Sequence, residues 1–411
     1  MSWPFKVKIN KLGRILNDKH HKTFFQLISI ASFTKLADLL ISAKTTLPWL
    51  LTSLGAPIWI ISLLVPIRES GSLIPQWPIK QQTQNMQNRV MLWRWGIVIQ
   101  ASAIGVILIA AVFTQSLTAG LLILGALLIL SLGRSLTSLS MKDIQGINIK
   151  KGQRGKLVGI ASSVSGILSL LTAVLMIMAP NQQDIITIQL LVGLAVVLML
   201  TSLILSRNLT ANLSEQDEAI NKQDGLWQTL YQQADLRNLI ISRCLLLHGA
   251  LIAPFFVSAS ASDNASFQLP YFIIASALAS FLSSYLWGRL ADNSAVKTLL
   301  IATIVCVIAS LSFYVFSDVN NWQLDIALFF LLSLGYAGIR TGRKTYMLDI
   351  AAGTKRTIYV ASANTVVGYV LLGLGGLYAL LQTWIHDYVL LIMTGALVLG
   401  LFHTFTMRSE K

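Results

Sequence analysis

Lys35 and Asp38 stand three residues apart in "FTKLADLLISAK", inside an otherwise apolar stretch. Residues three apart share one face of a helix, where opposite charges can pair. A charge at a bilayer centre costs about 2.5–3.5 kcal/mol, so these two side chains are expected to face protein or water rather than lipid. A carboxylate there, desolvated by its surroundings and balanced by a neighbouring ammonium, is a candidate for taking up and releasing a proton. A second candidate is His248, near the middle of "ISRCLLLHGALIAPFF", since histidine is the side chain that titrates closest to neutrality. Arg243 in the same stretch lies about one turn from the end of its run, close enough to snorkel outward.

Other chemistries lack their residues. The histidines are His20, His21, His248, His386 and His403, with no pair at metal-ligand spacing, and the cysteines are Cys244 and Cys306 alone. No G-x-x-x-x-G-K-[ST] loop is present to cradle a nucleotide phosphate. A membrane enzyme would gather an acid, base or metal cluster at one membrane face. No enzyme activity, resident cofactor or metal is therefore expected.

The elements that must hold these residues follow from composition. Of 411 residues, 55% are apolar and 12% charged, where a soluble domain carries about a quarter charged residues. A spanning helix needs about 20 apolar residues. Twelve runs qualify, at 24–43, 49–66, 93–113, 119–133, 157–178, 186–206, 239–258, 268–286, 298–316, 325–339, 357–381 and 388–406. They lack the period-2 alternation of barrel strands. With the N-terminus inside, 28 of the 31 lysines and arginines fall in inner segments, as orientation in a cytoplasmic membrane requires. Lys44 stands in the first outer connection. Topology thus accounts for the net charge of +14, and no nucleic-acid partner is expected. The polar stretch 207–237 divides the runs six and six. The expected organisation is a basic cytoplasmic segment (1–23), a first six-helix bundle (24–206), a cytoplasmic linker (207–237) and a second bundle (238–411), in a monomer with both termini cytoplasmic.

The two halves share a pattern. "GRSLTSLSMKDIQGINIKKGQRGKLVGIASSVSG" and "GRKTYMLDIAAGTKRTIYVASANTVVG" each hold Gly-Arg, then Asp143 or Asp349, then Arg154 or Arg356. From each of these two arginines the spacing to Ala161 or Ala363, and to Gly166 or Gly368, is the same. Between the eighth and ninth runs, "WGRLADNSAVK" carries Gly288, Asp292 four residues on and Lys297 nine on. This resembles the inner-loop pattern of the major facilitator superfamily, with departures at Asn293 and Ala295. The corresponding first-half loop, "VPIRESGSLIPQWPIK", keeps only Glu69 of that pattern.

The resemblance implies an all-α membrane protein of twelve transmembrane helices in two pseudo-symmetric six-helix bundles, rocking about a central site. It implies secondary transport of a small organic solute, driven by protons or another coupling ion. A transport-inactive receptor or assembly factor on the same scaffold, or a multi-span enzyme, are the alternatives. By the same resemblance Asp292 should reach Arg154 and Glu69 should reach Arg356, closing the cytoplasmic side. Ser29, Thr34, Ser42, Ser162, Ser163, Tyr271, Asn364 and Tyr369 are the other polar residues expected at the cavity, a lining suited to a small, mostly apolar solute. Import and export remain equally open, since the fifth run, "GKLVGIASSVSGILSLL", lacks the proline of the glycine-proline-glycine pattern of drug–proton antiporters.

Overall fold

The computed structural model describes residues 19–83, 86, 88–149, 154–178, 185–211, 233–262, 268–316, 321–350, 355–385 and 388–407. Most of the 1–23 segment and of the 207–237 linker lies outside them. The described residues form helices: α1 Lys19–Leu40, α2 Thr46–Ser53, α3 Ile58–Leu73, α4 Gln76–Gln82, α5 Arg89–Phe113, α6 Ser116–Asn148, α7 Arg154–Met178 and α8 Ile185–Leu205. After the linker come α9 Ala234–Leu246, α10 His248–Leu251, α11 Ala253–Ser262, α12 Leu269–Asn293, α13 Ala295–Val315, α14 Trp322–Ile350, α15 Lys355–Trp384 and α16 Val389–Phe405.

Among the described residues, ten segments are long and apolar enough to cross a membrane. The second run is answered by α2 and α3, of 8 and 16 residues, and the twelfth by α16, of 17. By length and composition, ten of the described segments qualify as spans and α16 is a shorter apolar helix. The first turn is also displaced. Lys44 does not lie in a connection between spans, because α1 resumes as α2 after a break at 41–45. The chain reverses instead at 54–57, where Gly55 adopts φ +72°, a backbone conformation open to glycine. The break follows from Pro48, which has no N–H and whose ring crowds the carbonyl four residues back. Leu47 N–H consequently reaches past that turn to Ser42 O at 3.0 Å. Pro254, in the first turn of α11, follows the interruptions at Leu247 and Ile252 that separate α9, α10 and α11.

Packing is paired across the halves. In the first, α5 packs on α6, α3 on α6, α5 on α8, and α1 on both α7 and α8. In the second, α13 packs on α14, α12 on α14, α13 on α16, and α9 on both α15 and α16. The halves meet where α3 lies on α15, α7 on α12, and α2 on α11. Large apolar side chains cover the outside. On α5 alone Trp95, Val98, Val106, Ile109, Val112 and Phe113 are exposed, far more apolar surface than a soluble monomer presents.

Candidate functional site

Two glycines set the geometry of the interior. A β-carbon on Gly133 of α6 would lie 2.9 Å from Gly96 O of α5, and one on Gly96 would lie 2.8 Å from Gly133 O. On α14, a β-carbon on Gly342 would lie 2.9 Å from Leu299 Cγ and 3.1 Å from Ala295 O of α13. Only glycine permits backbones this close. In both halves the next residue is the arginine of the repeated Gly-Arg pair, Arg134 or Arg343. Glu69 of α3 interacts electrostatically with both, and with Lys44 and Arg68. The duplicated glycines thus bring one cation from each half toward a common acid.

Asp38 has different partners from the one its spacing suggests. Its carboxylate accepts from Arg68 Nη2 at 3.0 Å and lies 3.4 Å from Arg134 Nη2. Arg68 is 6% exposed. It also donates to the main-chain carbonyls of Ile41 and, at 3.2 Å, Asp38, where the broken helix leaves acceptors without their own ladder partners. Lys35 turns the other way, and its Nζ donates to Ser162 Oγ at 2.5 Å. The pair expected within α1 is thus replaced by contacts to α3, α6 and α7, because guanidinium forks reach Asp38 from two neighbouring helices.

Helices α9 and α15 repeat this arrangement. Arg243 Nη1 donates to Asn364 Oδ1 at 2.7 Å, and Asn364 Nδ2 donates to Gln76 Oε1 at 3.3 Å. Ser162 stands eight residues after Arg154, and Asn364 eight after Arg356. The cations of α1 and α9 therefore bind matching positions of the repeat. At the break in the first helix, Lys44 Nζ sits 4.2 Å from the centroid of the Tyr336 ring, and Arg340 Cζ sits 5.7 Å from the same centroid, both within cation–π range.

His248 is 3% exposed, with Nδ1 2.7 Å from Leu245 O and Nε2 2.6 Å from Tyr378 Oη. A carbonyl only accepts, so Nδ1 carries the proton and Nε2 accepts from the tyrosine. Both nitrogens are thus engaged, by Leu245 and Tyr378.

The expected cytoplasmic gate divides. Glu69 lies inside α3 rather than in a connecting loop, because α3 continues past Pro66 to Leu73. The neighbours described for it are those of the interior cluster. Gly288 sits near the end of α12, where an added β-carbon would meet nothing within 4 Å. Lys297 is exposed in the first turn of α13, its N–H bonded to the capping Ser294 Oγ at 3.3 Å. The side chains of Asp292, Arg154 and Arg356, with the whole of the loop at 151–153, lie outside the described residues. Tyr369 is 60% exposed. Lys44 from the helix break, with Arg68, Arg134, Arg340 and Arg343 from helices, adds charge to a centre expected to be mostly apolar. Their signal in the sequence is faint, because each adjoins an apolar run where a loop is expected. Among the described residues no group of three metal-ligating side chains occurs.

No family model and no curated protein matches the sequence. Solved structures do match the fold. The nucleoside transporter NupG superposes with a TM-score of 0.70 at 13% identity, covering 93% of this chain and 99% of its own. The xylose transporter XylE from E. coli, in a partially occluded inward-open conformation, gives 0.69 at 12%, covering 94% and 98%. A bacterial homologue of the iron transporter ferroportin, inward-facing, gives 0.64 at 13%, covering 94% and 98%. The chain has the fold of these major-facilitator transporters and is a multi-pass membrane protein.

Proposed function

We propose that this protein is a secondary active transporter that moves a small organic solute across the cytoplasmic membrane by alternating access between two six-helix bundles, coupled to a proton gradient. The observation that carries this reading is the interior cluster itself. Two discontinuous helices, α1–α2 and α9–α11, border charged and amide side chains drawn from both halves. Broken helices beside a polar centre are how transporters of several folds build a substrate site.

Asp38 is the proposed coupling group. Its ionised carboxylate ties α1 to α3 and α6 through Arg68 and Arg134. A proton on it would weaken both ties and free α1 to move. Asp38→Asn in proteoliposomes is expected to abolish gradient-driven accumulation while leaving exchange of solute measurable. Full accumulation by the variant at equal protein content, across a range of pH, removes Asp38 from the mechanism. A receptor on this scaffold would bind solute without moving it, so wild-type vesicles separate the two readings.

We also propose that both termini are cytoplasmic and that Asp292 reaches Arg154 in the closed inner gate. Single cysteines at Gln182, Asn264, Asn320 and Asp387, in connections outside the described residues, should label from the outside with an impermeant reagent. Labelling of two or more of them only after permeabilisation refutes this orientation.

A further inference from the structure

We propose that the interior site binds an organic anion carrying at least two negative charges, as carboxylate or phosphate groups. The inference rests on the transport reading for the passage of that anion, and on the site alone for its binding.

The charges of the cluster do not balance. Arg68 and Arg134 have Asp38 within ion-pair distance and Glu69 beside them. Lys44, Arg243, Arg340, Arg343 and Lys344 have no carboxylate within ion-pair distance among the described residues. Glu69 reaches three of these five electrostatically. It is one charge already shared with Arg68 and Arg134. The five also act on one another: Lys44 on Arg340 and Arg343, Arg243 on Arg343, and Lys344 on Arg340 and Arg343. Like charges gathered together raise the free energy of the empty site, most where they are buried, and a counter-anion lowers it.

Orientation in the membrane does not explain all of them. Cations placed for topology sit in loops and at helix ends. Lys44 instead occupies a helix break facing Tyr336 of the other half, and Arg243 bonds Asn364 in the interior. Arg243 Nε is buried with no hydrogen-bond acceptor among the described residues. Arg340 and Lys344 are exposed, so the cluster can be reached by a solute. One charge on the ligand would leave most of this excess uncompensated, which is why a dianion or higher is assigned. Guanidinium forks bind carboxylate and phosphate oxygens alike, so both sources remain within the class.

The test uses the full-length protein in neutral detergent. Thermal stabilisation is titrated with citrate, glucose 6-phosphate and inorganic phosphate, against lactate, glucose, choline and phosphatidylglycerol. Saturable stabilisation by citrate or by the phosphates is expected, and the responding arm identifies the charged group. R340Q/K344Q removes two exposed cations and should weaken that response about tenfold or more, as loss of a charge-assisted bond does. Its ligand-free melting temperature should equal or exceed that of the wild type, because repulsion is relieved. If the double variant does not fold, Lys344→Gln alone carries the comparison. Stabilisation only by lactate, glucose, choline or the lipid overturns the inference, as does an undiminished response in the variant or none to any multivalent anion. The two readings fail differently. Transport of neutral glucose or of choline by proteoliposomes, without an anion response, sinks the anion site and keeps the transporter. Saturable anion binding without movement into vesicles does the reverse.

Discussion

Replacing Arg68 by leucine should destabilise the folded protein by about 3–5 kcal/mol, the usual cost of removing one member of a buried ion pair. Arg68 is 6% exposed and serves three acceptors: the Asp38 carboxylate and the carbonyls of Asp38 and Ile41. Leucine fills much of the space but satisfies none of them, and the two carbonyls lie where α1 has lost its own ladder. Lysine keeps the charge on a single nitrogen and cannot reproduce a fork that spans carboxylate and backbone. Arg68→Lys should therefore fall between wild type and Arg68→Leu in thermal unfolding of the detergent-solubilised protein. In the Asp38→Asn background Arg68→Leu should cost less than it does alone, since residues in contact are not additive. A melting temperature for Arg68→Leu equal to that of the wild type would mean that the guanidinium supports nothing.

Gly133→Val should produce the second large loss. Its β-carbon would meet Gly96 O at 2.9 Å, and a backbone oxygen inside a helix moves only if the helix moves. Overpacking a well-fitted contact typically costs about 1–3 kcal/mol. Here the displacement also carries Arg134 away from Asp38, so transport should fall further than stability. Gly105→Ala on the same α5 that carries Gly96, and Gly125→Ala on α6, are the controls, because an added β-carbon at either meets nothing within 4 Å. Alanine is the better helix former by about 0.5–1 kcal/mol, so these two should be neutral or stabilising. Equal behaviour of Gly133→Val and the controls, in both melting and uptake, would contradict the packing role.

These residues show what apolar runs reveal and what they conceal. The runs located the helices because lipid imposes length and composition on every span. The same criterion cuts a run short where charged residues follow its apolar part. Arg68 and Glu69 were thus assigned to an inner loop, although Pro66 leaves α3 intact as far as Leu73. Arg134 and Arg343 were counted toward orientation for the same reason. The repeated Gly-Arg was legible as a repeat, yet its purpose depends on how closely α5 meets α6 and α13 meets α14. Spacing alone also favoured Lys35 as the partner of Asp38. The competing guanidiniums come from α3 and α6, and no local pattern announces them. The tie between His248 and Tyr378, 130 residues apart, lies beyond any local reading as well.

The apolar stripe on α5 has a consequence for the lipid around the protein. From Trp95 to Phe113, both exposed, α5 advances about 27 Å at 1.5 Å per residue, close to the roughly 30 Å hydrocarbon core of a typical bilayer. Helices α3 and α16, with 16 and 17 residues, span about 24–26 Å by the same measure. The apolar depth is therefore uneven, greater along α5 than beside α3 and α16. Lipids of short or medium acyl length meet both depths with little deformation. Longer chains must compress beside the short helices, a strain that grows with every added ångström of mismatch.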